Sequence, residues 1–237
     1  MSEVAGSRPD SQGVRLGAAL YNGNHARLGD EISRLESAGV DFVHLDVFDG
    51  HFVSDIGFAP RTIADLRPLT KLPFEVHLGF DGPLRIMPAL AEAGVDLVLM
   101  HIEGLAMPYE ALRLAGTYGS RVGVVVTLGT PLGCLEPVIT LVDSVLLLSR
   151  VTGEGAHGSS FDPLVFPRLR AVRELVIAAG TQVDIQVAGG VRHEHVRDLV
   201  AAGATTLAVG GGIYRVPDMA HAISEMRDAA VQAKGLQ

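Results

Sequence analysis

A chain of 237 residues with 48% hydrophobic side chains can bury one large core, and its formal charge of −8, with no compensating basic cluster, argues against a nucleic-acid or anionic-membrane partner. The single cysteine, Cys134, excludes an intramolecular disulfide and fits a reducing, cytoplasmic setting. No apolar run reaches the ~18 residues that a membrane span requires. Residues 1–13 are polar, lack the apolar stretch of a signal peptide and are expected to form a loose tail, leaving 14–237 as one folded unit.

From Val14 onward, short runs rich in Val, Ile and Leu alternate with helical segments. In chain order the predicted strands are Arg15–Leu20, Phe42–Phe48, Phe74–Leu78, Leu97–His101, Val122–Thr127, Ser144–Ser149, Val183–Ala188 and Thr206–Val209. Such continuous apolar runs suit parallel strands covered on both faces. Amphipathic stretches between them include Ala26–Ala38, Leu84–Ala93, Pro167–Ile177 and His193–Ala202. The segments Ala38-Gly39-Val40-Asp41 and Ala93-Gly94-Val95-Asp96 repeat one signature, and Ala202-Gly203-Ala204 is a third version. In each, glycine ends a helix and the next strand follows at once. Eight βα units most economically form an α/β single-domain (β/α)8 TIM barrel, which places active residues at the C-terminal ends of the strands. A doubly wound open sheet is the alternative.

The second strand ends His44-Leu45-Asp46-Val47-Phe48-Asp49-Gly50, and the third carries Phe74-Glu75-Val76-His77-Leu78. Side chains two apart on a strand share a face, so His44 and Asp46 point the same way, with His77 on the next strand. Two imidazoles and a carboxylate are suitable ligands for a divalent metal, Zn, Fe, Mn or Co, and are costly to bury without such a purpose. Glu75 shares the face of His77 one layer deeper and suits a supporting role. His101 and Glu103, at the end of the fourth strand, are further candidates for support. Asp49 is expected to organise the Gly50 turn. On the seventh strand, Gln186 is placed to orient a ligand, and Asp184 is not expected to reach the metal. Gly189-Gly190 and Gly210-Gly211 follow strands seven and eight, where barrels commonly hold a phosphate on backbone N–H groups, and Arg150 after strand six is a candidate additional contact.

The run His44-Leu45-Asp46-Val47-Phe48-Asp49-Gly50-His51-Phe52-Val53 resembles the HxDxMDGHFV signature of the ribulose-phosphate 3-epimerase family. The resemblance continues in order through Glu75-Val76-His77-Leu78, His101-Ile102-Glu103, Val187-Ala188-Gly189-Gly190-Val191 and Val209-Gly210-Gly211-Gly212-Ile213-Tyr214. It implies a (β/α)8 barrel, a divalent metal on two His and two Asp, a small phosphorylated ketose as substrate, and a homo-oligomer, either dimer or hexamer. It also implies a reaction in which one Asp removes the proton beside a carbonyl and a second Asp returns one to the opposite face. By position His44, Asp46 and His77 match three ligands, and Asp46 matches one acid/base.

The chain departs from that pattern at the fourth ligand. Where the family carries VDGG, strand seven here reads Val187-Ala188-Gly189-Gly190. Ala188 offers neither a ligand oxygen nor a proton, so weaker metal binding and an altered substrate or reaction are expected. Ala19 stands for a family Ser; Phe48, Gly79 and Leu148 stand for its methionines; and its NPGFGGQ loop becomes Val151-Thr152-Gly153-Glu154-Gly155-Ala156-His157. His157 and Glu154 are candidate substitutes for the lost acid/base. The expected function is a sugar-phosphate epimerase or isomerase working through a metal-stabilised enediolate. A one-base aldolase or lyase, or a non-catalytic sugar-phosphate sensor, are the alternatives.

Overall fold

The alternation of apolar runs and helical segments closes into a barrel in the computed structural model, which describes residues 13–151 and 161–234. Its strands are β1 (Arg15–Ala19), β2 (Phe42–Phe48), β3 (Phe74–Gly79), β4 (Leu97–His101), β5 (Arg121–Val126), β6 (Ser144–Leu148), β7 (Asp184–Ala188) and β8 (Thr206–Val209). Every neighbouring pair is parallel, and β8 returns to β1, so the sheet has no free edge and the open-sheet alternative is excluded.

The surrounding helices are α1 (Leu28–Ala38), α2 (Pro60–Leu66), α3 (Met87–Glu92), α4 (Pro108–Ala115), α5 (Val165–Ala178), α6 (His193–Ala202), α7 (Gly211–Tyr214) and α8 (Met219–Lys234). Two predicted segments are broken more finely than their periodicity suggested. Pro83 opens a 3-10 turn that precedes α3, and His25–Arg27 forms another before α1. Between β5 and β6 the described chain has no α-helix; two 3-10 turns, Leu132–Leu135 and Ile139–Leu141, make that crossover. Leu20 likewise leaves β1 and begins a 3-10 turn, so that strand ends at Ala19.

Two apolar cores result. The larger lies between strands and helices and contains the outward side chains Val43, Leu45 and Val47 of β2 with Ile32 and Leu35 of α1. The smaller fills the barrel interior with Leu97, Leu99, Val125, Leu146, Leu148, Ala188 and Ala208. Strand alternation separates the two sets. The interior core occupies the β4–β8 side, whereas the inward positions of β2 and β3 are His44, Asp46, Glu75 and His77, all buried.

The repeated Ala-Gly-Val-Asp signature has two physical parts. Gly39, Gly94 and Gly203 take φ of +79°, +76° and +117°, the left-handed conformation that ends a helix with least strain in glycine. The residue just before each even-numbered strand then caps its odd-numbered neighbour. Leu16 N donates to Asp41 Oδ2 (2.6 Å), Phe74 N to Asp96 Oδ2 (2.7 Å), and Val122 N to Asp143 Oδ2 (3.1 Å). Ile185 N donates to Thr205 Oγ1 (2.9 Å) in the same manner. These four bonds pin strand pairs in register at the N-terminal end of the barrel. At that end Asp184 also meets Arg15 (3.8 Å) and Arg121 (3.3 Å), far from the strand ends that carry the polar cluster.

Candidate active site and metal centre

At the C-terminal ends of β2 and β3 the register sets Asp46 beside His77 and His44 beside Glu75. Asp46 Oδ1 lies 3.1 Å from His77 Nδ1 and 3.6 Å from His44 Nε2. One ligand atom from each of His44, Asp46 and His77 falls within 4.8 Å of the others. Bonds of ~2.0–2.2 Å to a shared cation place ligand atoms at such separations, so the three could hold a divalent metal.

The chemistry of the donor set fits as well. Glu75 Oε1 accepts from His44 Nδ1 at 2.7 Å and from Gln186 Nε2 at 2.5 Å. With Nδ1 committed to Glu75, Nε2 is the His44 nitrogen turned toward Asp46. A carboxylate behind a ligating imidazole is the arrangement that orients metal-binding histidines. Burial pulls the His44 imidazole down, but the hydrogen bonds and charges of Asp46 and Glu75 outweigh it and raise His44 to about 10. Burial opposes ionisation of Asp46, yet the bonds from His44 and His77 hold its carboxyl below the usual carboxylate range. His77, buried and facing His101, is lowered to about 4 even with Asp46 beside it. The cluster therefore holds an ionised Asp46, a protonated His44 and a neutral His77, and a cation bound there would take the place of the His44 proton.

These groups floor a cavity of about 830 Å3. Asp46, His44 and His77 line it beside Ala19, the register partner of His44, and Leu148, Ala188 and Ala208 of β6, β7 and β8 line it without offering an ionisable group. Gly189, Gly190, Gly210 and Gly211 line the same cavity together with Arg150, so every predicted phosphate contact opens onto it. The Arg150 stem packs against Gly189: a Cβ there would come within 2.6 Å of Arg150 Cγ, and Gly189 has φ +104°. Ser149 Oγ donates to the carbonyls of Ala188 (2.9 Å) and Gly189 (2.5 Å), fixing the end of β7. Glu154 and His157 lie outside the described residues. Asp49 organises its turn as expected: Oδ1 accepts from His51 N and Phe52 N (2.8 and 2.7 Å), and Oδ2 accepts from Asp81 N (2.8 Å) across to the loop after β3.

Sequence reasoning missed Gly57. The chain after β2 folds back so that Phe58 N donates to Asp46 O (2.8 Å), and a Cβ on Gly57 would meet that carbonyl oxygen at 2.3 Å. No side chain fits there without moving Asp46 itself. Gly57→Ala is expected to cost about 1–3 kcal/mol in stability and to reduce turnover more than the fold loss explains; thermal melts beside steady-state kinetics would separate the two. Arg192, Arg215 and His195, also on the cavity lining, had no signal in the sequence beyond their nearness to glycine turns.

Comparison with known proteins agrees with this architecture. The profile of the ribulose-phosphate 3 epimerase family matches residues 15–214. The chain is 35% identical over 215 residues to ribulose-phosphate 3-epimerase of Bacillus subtilis, covering 90% of this chain and 98% of that protein. It is 33% identical over 221 residues to the Synechocystis enzyme of the same name, covering 92% and 95%. Among solved structures, KGPDC from Streptococcus mutans superimposes with a TM-score of 0.68 at 12% identity, over 93% of this chain and 98% of that one, a likeness of fold. With the barrel, the cavity and these relatives together, the chain belongs to the ribulose-phosphate 3-epimerase family and is a sugar-phosphate epimerase.

Proposed function

We propose that this epimerase acts on a small ketose phosphate, using Asp46 as the proton-abstracting base beside a divalent cation held by His44, Asp46 and His77. The observation that carries the reading is the convergence of these three groups on one wall of a cavity whose far side is built from the glycine turns after β7 and β8. Backbone N–H groups of Gly189, Gly190, Gly210 and Gly211, with Arg150, take the phosphate and set the carbon skeleton across the barrel mouth. A bound divalent cation supplies a Lewis acid that polarises the substrate carbonyl and stabilises negative charge on its oxygens. Asp46, ionised by its imidazole neighbours, removes the proton from the adjacent carbon and gives a planar enediolate. Glu75 and Gln186 hold His44 in place throughout.

The second proton arrives from the face that Ala188 occupies. Ala19, Leu148, Ala188 and Ala208 cannot donate one, so water in the cavity, or Glu154 and His157 of the segment following Arg150, returns it. Cleavage and ligand sensing are less favoured, since the relatives are named as epimerases. Among the described residues no helix is long and apolar enough to cross a membrane. A cytoplasmic location is proposed on the single free cysteine, which suits a reducing compartment. A homodimer or hexamer is proposed on the exposed Met107, Tyr109 and Leu114 near α4.

The test is turnover in D2O with protein loaded with Mn, Fe, Co or Zn and offered phosphorylated ketopentoses and ketohexoses. Interconversion of C3 epimers with one solvent deuterium gained at C3 is the expected result. A panel showing neither exchange nor interconversion with any metal would overturn the assignment.

A further inference from the structure

The His101-Ile102-Glu103 segment at the end of β4 has no part in the chemistry above, yet it touches the metal wall. His77 Nε2 lies 2.9 Å from His101 Nε2, and His101 Nδ1 lies 3.3 Å from Glu103 Oε2. Both imidazoles are buried, at 4% and 2% exposure, so each bond has to be made within the protein. The other oxygen, Glu103 Oε1, accepts from Thr127 N (2.9 Å) and Thr130 Oγ1 (2.5 Å). Arg168 of α5 holds that loop by donating to the carbonyls of Thr127 (2.9 Å) and Thr130 (2.8 Å).

We infer that Glu103 is a positioning residue that fixes the tautomer of His77 through His101, so that the bare Nδ1 of His77 is the nitrogen presented to the metal. The inference rests on the metal-site reading proposed above. The contacts Asp46–His77, His77–His101 and His101–Glu103 run between two carboxylates that only accept, and two neutral imidazoles carry protons for two of the three. In the metal-free protein His77 Nδ1–H serves Asp46, 3.1 Å away. A cation shared by Asp46 and His77 would take the place of that proton, so His77 would carry its proton on Nε2 and donate to a bare His101 Nε2, and His101 would donate from Nδ1 to Glu103. Burial disfavours the Glu103 carboxylate, but the bonds from His101, Thr130 and Thr127 outweigh it and hold Glu103 down to about 2, so it stays an acceptor at working pH.

Glu103→Gln inverts the chain at constant shape. The Thr127 N–H cannot turn round, so it selects the amide oxygen and leaves the NH2 against His101 Nδ1. His101 then moves its proton to Nε2, and His77 moves its own to Nδ1, where it blocks the metal. The expected result is a loss of about 10–100-fold in Mn or Zn affinity, read by competition with a chromophoric chelator, with an unchanged circular dichroism spectrum. Long-range 1H–15N spectra of the zinc-loaded proteins should show protons on His77 Nε2 and His101 Nδ1 in the wild type, and the His101 proton on Nε2 in Glu103→Gln. A zinc-loaded wild type with the His101 proton on Nε2, or a variant binding metal within about twofold of the wild type, would overturn the inference. If the variant does not fold, the wild-type spectrum alone decides. If the wild type itself binds no metal, the metal-site reading fails and the relay falls with it, whereas a wild type that binds zinc with the His101 proton on Nε2 overturns the relay alone.

Discussion

Asp46→Asn is expected to lower solvent deuterium exchange at the substrate carbon by at least ~10⁴-fold, beyond what loss of a general base alone costs, and to weaken divalent-cation binding in the same protein. Both effects come from one side chain because a carboxylate that gives one oxygen to a cation keeps the other for proton transfer. The amide retains the shape but carries no charge, so it neither accepts the proton nor attracts the metal. Its neighbours raise the cost. Asp46 sits between His44 Nε2 at 3.6 Å and His77 Nδ1 at 3.1 Å in a buried cluster, and its ionised form is what those imidazoles stabilise. Elemental analysis of the purified variant, an isotope-exchange assay at saturating metal, and a thermal melt distinguish the contributions. Exchange restored to within tenfold of the wild type by added metal would make Asp46 a ligand only and move the base elsewhere.

The parts of this molecule readable from sequence are those governed by periodicity or by short spacing. All eight strands follow from apolar runs, with ends correct to within a residue or two, because a strand buried on both faces leaves an unbroken signature. The i, i+2 rule was enough to put His44 and Asp46 on one face. Other features depend on register, which a single chain does not display. The register sets His77 opposite Leu99, so that His101 rises above it, and nothing in either strand alone announces their contact. Gln186 and Glu75 lie 111 residues apart and meet across the barrel interior. Gly57 is constrained by another segment's carbonyl, a closeness that leaves no local pattern. Between β5 and β6 two 3-10 turns stand where eight βα units imply a helix, although residues 127–143 span as much chain as the β7–β8 crossover that holds α6.

Ala188→Asp is expected to tighten divalent-metal binding by about 10-fold or more and to raise interconversion of C3 epimers by at least a similar factor. The position is prepared for the side chain. Ser149 anchors the Ala188 carbonyl, and alternation from Gln186, whose amide reaches Glu75 inside the barrel, aims the Ala188 Cβ inward. Its neighbours across the sheet are Leu148 and Ala208, and all three line the cavity that Asp46 faces. A carboxylate there adds an acid/base on the face of the enediolate that Asp46 cannot reach. It also adds an oxygen ligand to a site otherwise limited to two imidazoles and one carboxylate. Without metal, the same charge is a liability: at 7% exposure against apolar neighbours it is desolvated and unpaired, which costs about 1–3 kcal/mol and raises its pKa. The metal-free variant should therefore melt below the wild type at neutral pH, and a divalent cation should close that gap. The sign separates the explanations. Stabilisation by metal that is larger in the variant than in the wild type means that the new carboxylate faces the cation; equal stabilisation in both, with epimer interconversion unchanged, would mean that Ala188 stands outside the reacting centre and that the proton returned to the second face never depended on this position.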